Sequence, residues 1–285
     1  MTITNYYPAI EKDLQQIGEM LLLNGTLTED PGLVHGKMGI AVFLFHYARY
    51  TENMLFADYA MDLIGEMQNQ LHANSCADYE KGVAGIGVGI GYLIQNDYLD
   101  AEDDIFEDLD QRMYRAVMYD PWQDFSLYEG LTGYGRYWIS RLRRQSLSVQ
   151  AQECLLSIAE QIEKKFQDIP QKEQTDVYCF LHDLHEISSF DFPVGLLERY
   201  QKLPVRICWS FPRLCGSSSI LRMHQCRKHF NDALQEDIDM VLKLIPKLDM
   251  EKPPVSMGLL TGYAGEGMLR LTALGSANQL WMNLL

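Results

Sequence analysis

The sequence predicts an all-α protein, an (α/α) toroid of about six helical hairpins forming one domain over residues 1–285. Three observations lead there. A Gly-x-x-Gly motif recurs, as Gly36-Lys37-Met38-Gly39, Gly82-Val83-Ala84-Gly85, Gly130-Leu131-Thr132-Gly133 and Gly262-Tyr263-Ala264-Gly265. A weaker copy begins at Gly216 in Leu214-Cys215-Gly216-Ser217. Successive first glycines are 46, 48, 86 and 46 residues apart, so a degenerate copy is expected inside the long interval. A period in this range is the mark of a repeat architecture. Second, the stretches between motifs carry apolar residues at helical spacing with one polar face, as in Ala57, Ala60, Met61, Ile64, Met67 and Leu71. Third, the stretches after the motifs are apolar nearly all round, which marks helices buried on every side.

Each outer amphipathic helix is paired with the buried helix that follows it. The pairs are 8–24 with 37–50, 54–72 with 83–96, 101–118 with 131–144, 148–167 with 178–190, 191–202 with 217–229, and 230–248 with 263–275. Arg136 and Arg141 interrupt the third buried helix. Residues 168–176, with Pro170 and polar neighbours, are expected to be irregular. The first glycine of each motif is expected at positive φ in the turn into the buried helix. The second, one turn in, is expected to let neighbouring helices approach. The run from Gly85 to Gly91 is not read as a phosphate cradle, because charged residues 78–81 precede it instead of an apolar strand.

The 285 residues are 47% hydrophobic, enough for a large core, and carry a formal net charge of −15. Such a surface repels phosphate backbones, which argues against a nucleic-acid partner and suits a basic or neutral peptide. Residues 1–8 have neither a basic nor an apolar leader region, so no secretory signal is read and a cytoplasmic location is expected. No apolar stretch is long and clean enough for a membrane span. The six cysteines are scattered, as expected of reduced core residues.

In a closed toroid the motif loops converge on one mouth, the default place for a ligand. The residues just before the first glycines are His35, Lys81, Glu129, Cys215 and Thr261, with Tyr128 beside Glu129. This set is polar and chemically varied. The aromatic residues Trp122, Tyr128, Tyr134, Tyr137 and Trp138 around the third motif are read chiefly as core.

The segments Leu33-Val-His-Gly-Lys-Met-Gly-Ile-Ala, Gly130-Leu-Thr-Gly-Tyr-Gly and Gly258-Leu-Leu-Thr-Gly-Tyr-Ala-Gly-Glu-Gly resemble the glycine repeats of the lanthionine synthetase C-like family. The resemblance runs from about residue 32 to 275, in a chain shorter than that family's usual members. It implies a double ring of helices acting on a ribosomally made, dehydrated peptide. It also implies zinc at the mouth, held by a Cys in one loop and a Cys-His pair in the next, which activates a peptide thiol for thioether formation. His182 and His185 lie near the position of that family's acid/base histidine.

The Cys-His-Gly signature is absent, however. The last motif reads Leu260-Thr261-Gly262 and the preceding one Leu214-Cys215-Gly216, with Cys208 seven residues earlier. Two readings stand. One keeps a rearranged zinc site from Cys208, Cys215 and His182 or His185, with His182 or His185 as catalytic acid/base. The other, which the spacing favours, has no zinc and binds a precursor peptide or a partner modification enzyme at the mouth. A third class, a carbohydrate-active barrel, would need a carboxylate pair among Asp78, Glu80, Glu129, Asp183 and Glu186, and no spacing singles one out.

Overall fold

The computed structural model describes residues 7–72, 74–100, 103–145, 148–187, 194–201, 228–229 and 256–285. The protein is all-α. Among the described residues no strand occurs, only an isolated bridge between Ser256 and Gly262. No described helix is long and apolar enough to cross a membrane. The weak motif at 214–221, Cys208, Cys215 and Cys226, and the helix expected at 230–248 lie outside the described residues.

The helices are α1 (Tyr7–Asn24), α2 (Lys37–Thr51), α3 (Met54–Gln70), α4 (Val83–Gln95), α5 (Glu107–Met118), α6 (Leu131–Arg144), α7 (Val149–Lys164), α8 (Gln171–His185), α9 (Val194–Gln201) and α10 (Tyr263–Ala273). A 3-10 turn at Asp103–Phe106 leads into α5, and another at Gln279–Leu284 follows α10. The contacts group into two compact units. One is Met1–Leu71 with Arg213–Leu285, and the other is His72–Pro212.

In the first unit α2 is the centre. Twelve consecutive residues, Lys37 to Ala48, are buried, so the helix has no wet face. Its neighbours α1 and α3 are amphipathic: α3 buries Phe56, Ala57, Ala60, Leu63, Ile64 and Met67. Two devices set the junction between α2 and α3. Glu52 takes a left-handed conformation (φ 53°) that ends α2, and the Asn53 side chain caps α3 by accepting the Leu55 N–H at 3.1 Å. The C-terminal α10 packs against both α1 and α2. Within α10, Arg270 reaches Asp13 of α1 and Glu266 of its own helix.

The second unit repeats the arrangement. Helix α4 is buried from Val83 to Leu93, and α6 packs against α4 on one side and α8 on the other. Arg141 of α6 forms a fork with the Asp110 carboxylate of α5 (2.8–3.2 Å) and stacks on Phe106 at 4.1 Å. Tyr137 donates to the same carboxylate. The arginine that interrupts the apolar stripe is thus neutralised inside the unit.

Three expectations are corrected here. First, a buried helix packs chiefly on the outer helix after it, as α2 with α3 and α6 with α7, and only lightly on the one before. Connections of 52–53 and 145–148 are short enough to fold the chain straight back. On this rule α1 is the outer partner of α10, although the two stand at opposite ends of the sequence. Second, α8 starts at Gln171 and ends at His185, so most of the stretch expected to be irregular is helical. Pro170 precedes the helix, where its missing N–H costs nothing, and no glycine follows to break it. Third, Trp122 is exposed, its indole N–H donating to Asp124, while Tyr134, Tyr137 and Trp138 are core.

Buried His46 on α2 carries a pH signature. Burial, helped by Arg49, lowers its pKa to about 4, against about 6.5 when unfolded. A depressed histidine gives its full stability above pH 6.5 and loses it as pH falls toward 4, because the unfolded chain takes up the proton first. The loss is on the order of 3 kcal/mol. We expect a His46→Asn variant to lack this part of the acid destabilisation. Urea midpoints at pH 7 and pH 4.5 measure it, and equal pH slopes for the two proteins would contradict it.

Candidate functional site

Four loops share one backbone plan. They span 30–36, 76–82, 124–130 and 256–262, and each ends on the glycine that caps the following helix. In each, the first helical N–H donates to the carbonyl seven residues back. The pairs are Lys37 to Asp30 (2.8 Å), Val83 to Cys76 (2.9 Å), Leu131 to Asp124 (3.1 Å) and Tyr263 to Ser256 (3.1 Å). Loops within a unit are also tied together. Tyr79 and Glu80 N–H groups both donate to the Tyr128 carbonyl, and those of Leu259 and Leu260 both donate to Val34.

The glycines follow from this plan, though not as the sequence suggests. The capping glycines have φ between −97° and −118°, extended backbone open to any residue. Glycine is required there for space. A Cβ on Gly36 would strike the Asp30 carbonyl, and one on Gly82 the Cys76 carbonyl. At the second glycine a Cβ would meet the loop's own fourth residue: Leu33 for Gly39, Leu127 for Gly133, Leu259 for Gly265. Close approach of helices belongs to a third glycine two residues on. There an aromatic ring of a neighbouring buried helix fills the gap, Tyr137 over Gly87, Phe180 over Gly135 and Phe43 over Gly267.

That register locates the degenerate fourth copy. Phe43 and Tyr137 stand seven residues after their capping glycines, so Phe180 assigns the glycine position to Glu173. Helix replaces the loop there. Buried Glu173 accepts the Phe125 N–H at 3.0 Å and Asp176 accepts that of Leu127 at 2.9 Å. Two carboxylates of α8 thereby support the third loop, which has no fourth loop to lean on.

The sixth loop position carries the residues singled out for the mouth. His35 is half-buried and Thr261 exposed in the first unit, while Lys81 and Glu129 are exposed in the second. Tyr128, at the fifth position of its loop, is half-buried. The backbone bonds that the four loops have in common do not use the sixth side chain. Asp78 is different. Its Oδ1 accepts the Lys81 and Gly82 N–H groups (2.7 and 3.0 Å), and its Oδ2 accepts the Cys76 thiol (2.6 Å). Asp78 therefore belongs to the loop and is a poor member of any catalytic carboxylate pair.

His182 and His185 occupy the last turn of α8. His182 is half-buried beside Tyr178, with Nδ1 3.8 Å from the Glu186 carboxylate, and His185 is exposed.

A residue not singled out for a site is Arg136. It lies on α6 near Tyr79, Tyr128, Cys179 and Asp183, with its guanidinium 5.5 Å from the centre of the Tyr79 ring. Burial alone would disfavour its charge, but Tyr79, Asp183, Cys179 and Tyr128 outweigh that and hold its pKa above normal. Burial raises the Tyr79 phenol, and Arg136 offsets part of the rise. The interrupted apolar stripe of α6 was the sequence signal. The partners come from three separate segments, so spacing could not assemble them.

Comparison with known protein families and with curated proteins finds no match to this chain. The zinc implied by the resemblance was tested on the donor chemistry of the described loops. Their residues before the capping glycine are His35, Lys81, Glu129 and Thr261, with Val34, Glu80, Tyr128 and Leu260 before those. Neither row contains a thiolate, so these loops do not fit the expected Cys and Cys-His ligands. Cys208 and Cys215 lie outside the described residues.

Proposed function

We propose that this chain is a lanthionine synthetase C-like protein without the family's zinc chemistry. On this reading it binds a ribosomally made, dehydrated peptide during its maturation, at the mouth of a closed (α/α) toroid. One observation carries the reading. The same backbone-bonded loop occurs four times and each time presents a different side chain, His35, Lys81, Glu129 or Thr261, at the same position. A scaffold that is repeated while its presented side chains vary is how rigid folds carry binding loops. Within the first unit the packing of α10 on α1 and α2 brings the two ends of the chain together.

No step is routed through a metal. The role proposed for these residues is to hold the peptide: in the second unit Lys81 and Glu129 offer opposite charges, and in the first unit His35 and Thr261 offer hydrogen bonds. A model peptide with one cysteine and one dehydrobutyrine tests this. Thioether closure would join sulfur to the β-carbon and move the thiol proton to the α-carbon. Mass is unchanged and the free thiol disappears. We expect saturable binding by fluorescence anisotropy, retained in a chelator, with the thiol still fully alkylated afterwards. Loss of the thiol would overturn the non-catalytic part of the reading, and absence of binding would overturn the whole.

A further inference from the structure

We propose that the outer face of α3, with the turn at Leu27 beside it, docks a basic amphipathic helix of a partner protein. The first observation is composition. The exposed positions of α3 between 54 and 62 are Met54, Leu55, Asp58, Met61 and Asp62. Met54 is 66% exposed, Leu55 58% and Met61 48%. Leu27, 74% exposed, adjoins them, because the Tyr59 phenol of α3 accepts the Thr26 N–H at 3.0 Å. An outer helix needs only its inner stripe to be apolar. Helix α5, the outer helix that follows α4, keeps to that rule: its one exposed large apolar residue is Met118, at its end. Exposed apolar side chains scattered singly are ordinary, whereas a set gathered on one helix face marks a surface that meets another molecule.

The second is charge, which selects the partner. Asp58 and Asp62 stand one turn apart along the middle of this face, with Met54 and Met61 on one side and Leu55 on the other. Among the described residues neither carboxylate has an ion-pair partner. The third acid of α3, Glu66, is offset by buried Lys37 of α2. Helix α3 contains no Lys, Arg or His, and neither do residues 19–30. The face therefore offers apolar contact together with charge of one sign. A second copy of the chain would set acid against acid, and an anionic lipid surface would be repelled. A helix with apolar residues on one stripe and Lys or Arg one turn apart satisfies both features. The two methionines suit this task, since their flexible side chains adapt to a partner's shape.

The third is Gly65. It continues the stripe of Met54, Asp58 and Met61 at helical spacing, and a Cβ on it would meet nothing within 4 Å. Glycine inside a helix costs stability relative to alanine, and no neighbour within the chain uses the space it leaves. An incoming helix does use it, because the distance between packed helices is set by the side chains at their contact. None of these residues belongs to the four repeated loops, so the docking face stands or falls independently of peptide binding there.

The test uses the full chain and two fluorescent amphipathic peptides, one with Leu and Lys at helical spacing and one with Leu and Glu. We expect saturable anisotropy with the Leu/Lys peptide and none with the Leu/Glu peptide. Affinity for the first should fall on the order of tenfold in Asp58→Asn/Asp62→Asn, in Met54→Gln/Met61→Gln and in Gly65→Gln. Unfolding midpoints should stay close to the parent's, because these side chains point outward. Val149→Gln/Leu156→Gln, an exposed apolar pair on α7, is the control and should leave affinity unchanged. Equal weakening in the control would overturn the proposal, since attraction to the acidic surface at large would then suffice. So would absence of saturable binding, or equal binding of the two peptides. A dimer seen by sedimentation and dissolved by Met54→Gln/Met61→Gln would also overturn it, by giving the face to a second copy.

Discussion

Replacing Asp13 by alanine is expected to cost about 3–5 kcal/mol of folding stability, the largest effect of any single substitution considered. Arg270 is 1% exposed and Asp13 3%, and Nη2 and Nε of Arg270 lie 3.1 and 3.2 Å from Asp13 Oδ2. Glu266 holds the other end of the guanidinium at 2.7 Å. Removing Asp13 leaves a cation in the core of the first unit with one partner outstanding. It also loosens α1 from α10, the pair that joins the two ends of the chain. Urea denaturation reads the loss. The double variant Asp13→Leu/Arg270→Leu should recover most of it, because apolar residues of similar size replace buried ion pairs at little net cost. A loss below about 1 kcal/mol in Asp13→Ala would mean that the pair is solvated like a surface bridge.

The second large effect is Gly265→Ala, expected to destabilise by about 3 kcal/mol. The new methyl would land on the Leu259 carbonyl. Backbone cannot step aside there, because the Leu259 N–H is bonded to Val34 O at 2.9 Å and the 256–262 loop is fixed at its end by the Tyr263 bond to Ser256. Gly267→Ala meets only the edge of the Phe43 ring, which can tilt, and should cost less, about 1–2 kcal/mol. Gly65, in mid-α3 with open space around it, should behave oppositely. Its alanine variant should gain about 0.5–1 kcal/mol from helix propensity. Thermal or urea unfolding of the three variants checks the order. A neutral Gly265→Ala would contradict the loop plan.

The glycine motif made α2, α4, α6 and α10 legible to within a few residues, since each helix starts on the residue after its capping glycine. The reason is local: the loop closes on itself through seven residues, and steric exclusion near Gly36 or Gly82 depends on nearby chain only. Where the glycine is lost, at Glu173, the sequence shows no boundary and the start of α8 was misplaced. Negative φ at the capping glycines was also illegible, because crowding by a carbonyl six residues back leaves the same glycine as a left-handed turn does. Packing of α1 on α10 was hidden by their distance along the chain. Of the candidate site, the sixth-position side chains were readable from the motif. Arg136 showed only as a break in an apolar stripe, and Tyr79, Cys179 and Asp183 meet it through tertiary structure.

The central claim is that the repeated loops hold shape with backbone and bind with the sixth side chain. It is tested most directly by a variant carrying His35→Ala, Lys81→Ala, Glu129→Ala and Thr261→Ala together. The account predicts an unfolding midpoint within a few degrees of the parent, since Lys81, Glu129 and Thr261 are exposed and surface changes cost about 0.5 kcal/mol or less each, which leaves half-buried His35 as the main contributor to any loss. It also predicts at least a tenfold loss of affinity for the dehydrobutyrine peptide. Unchanged affinity in a variant that unfolds normally would contradict it.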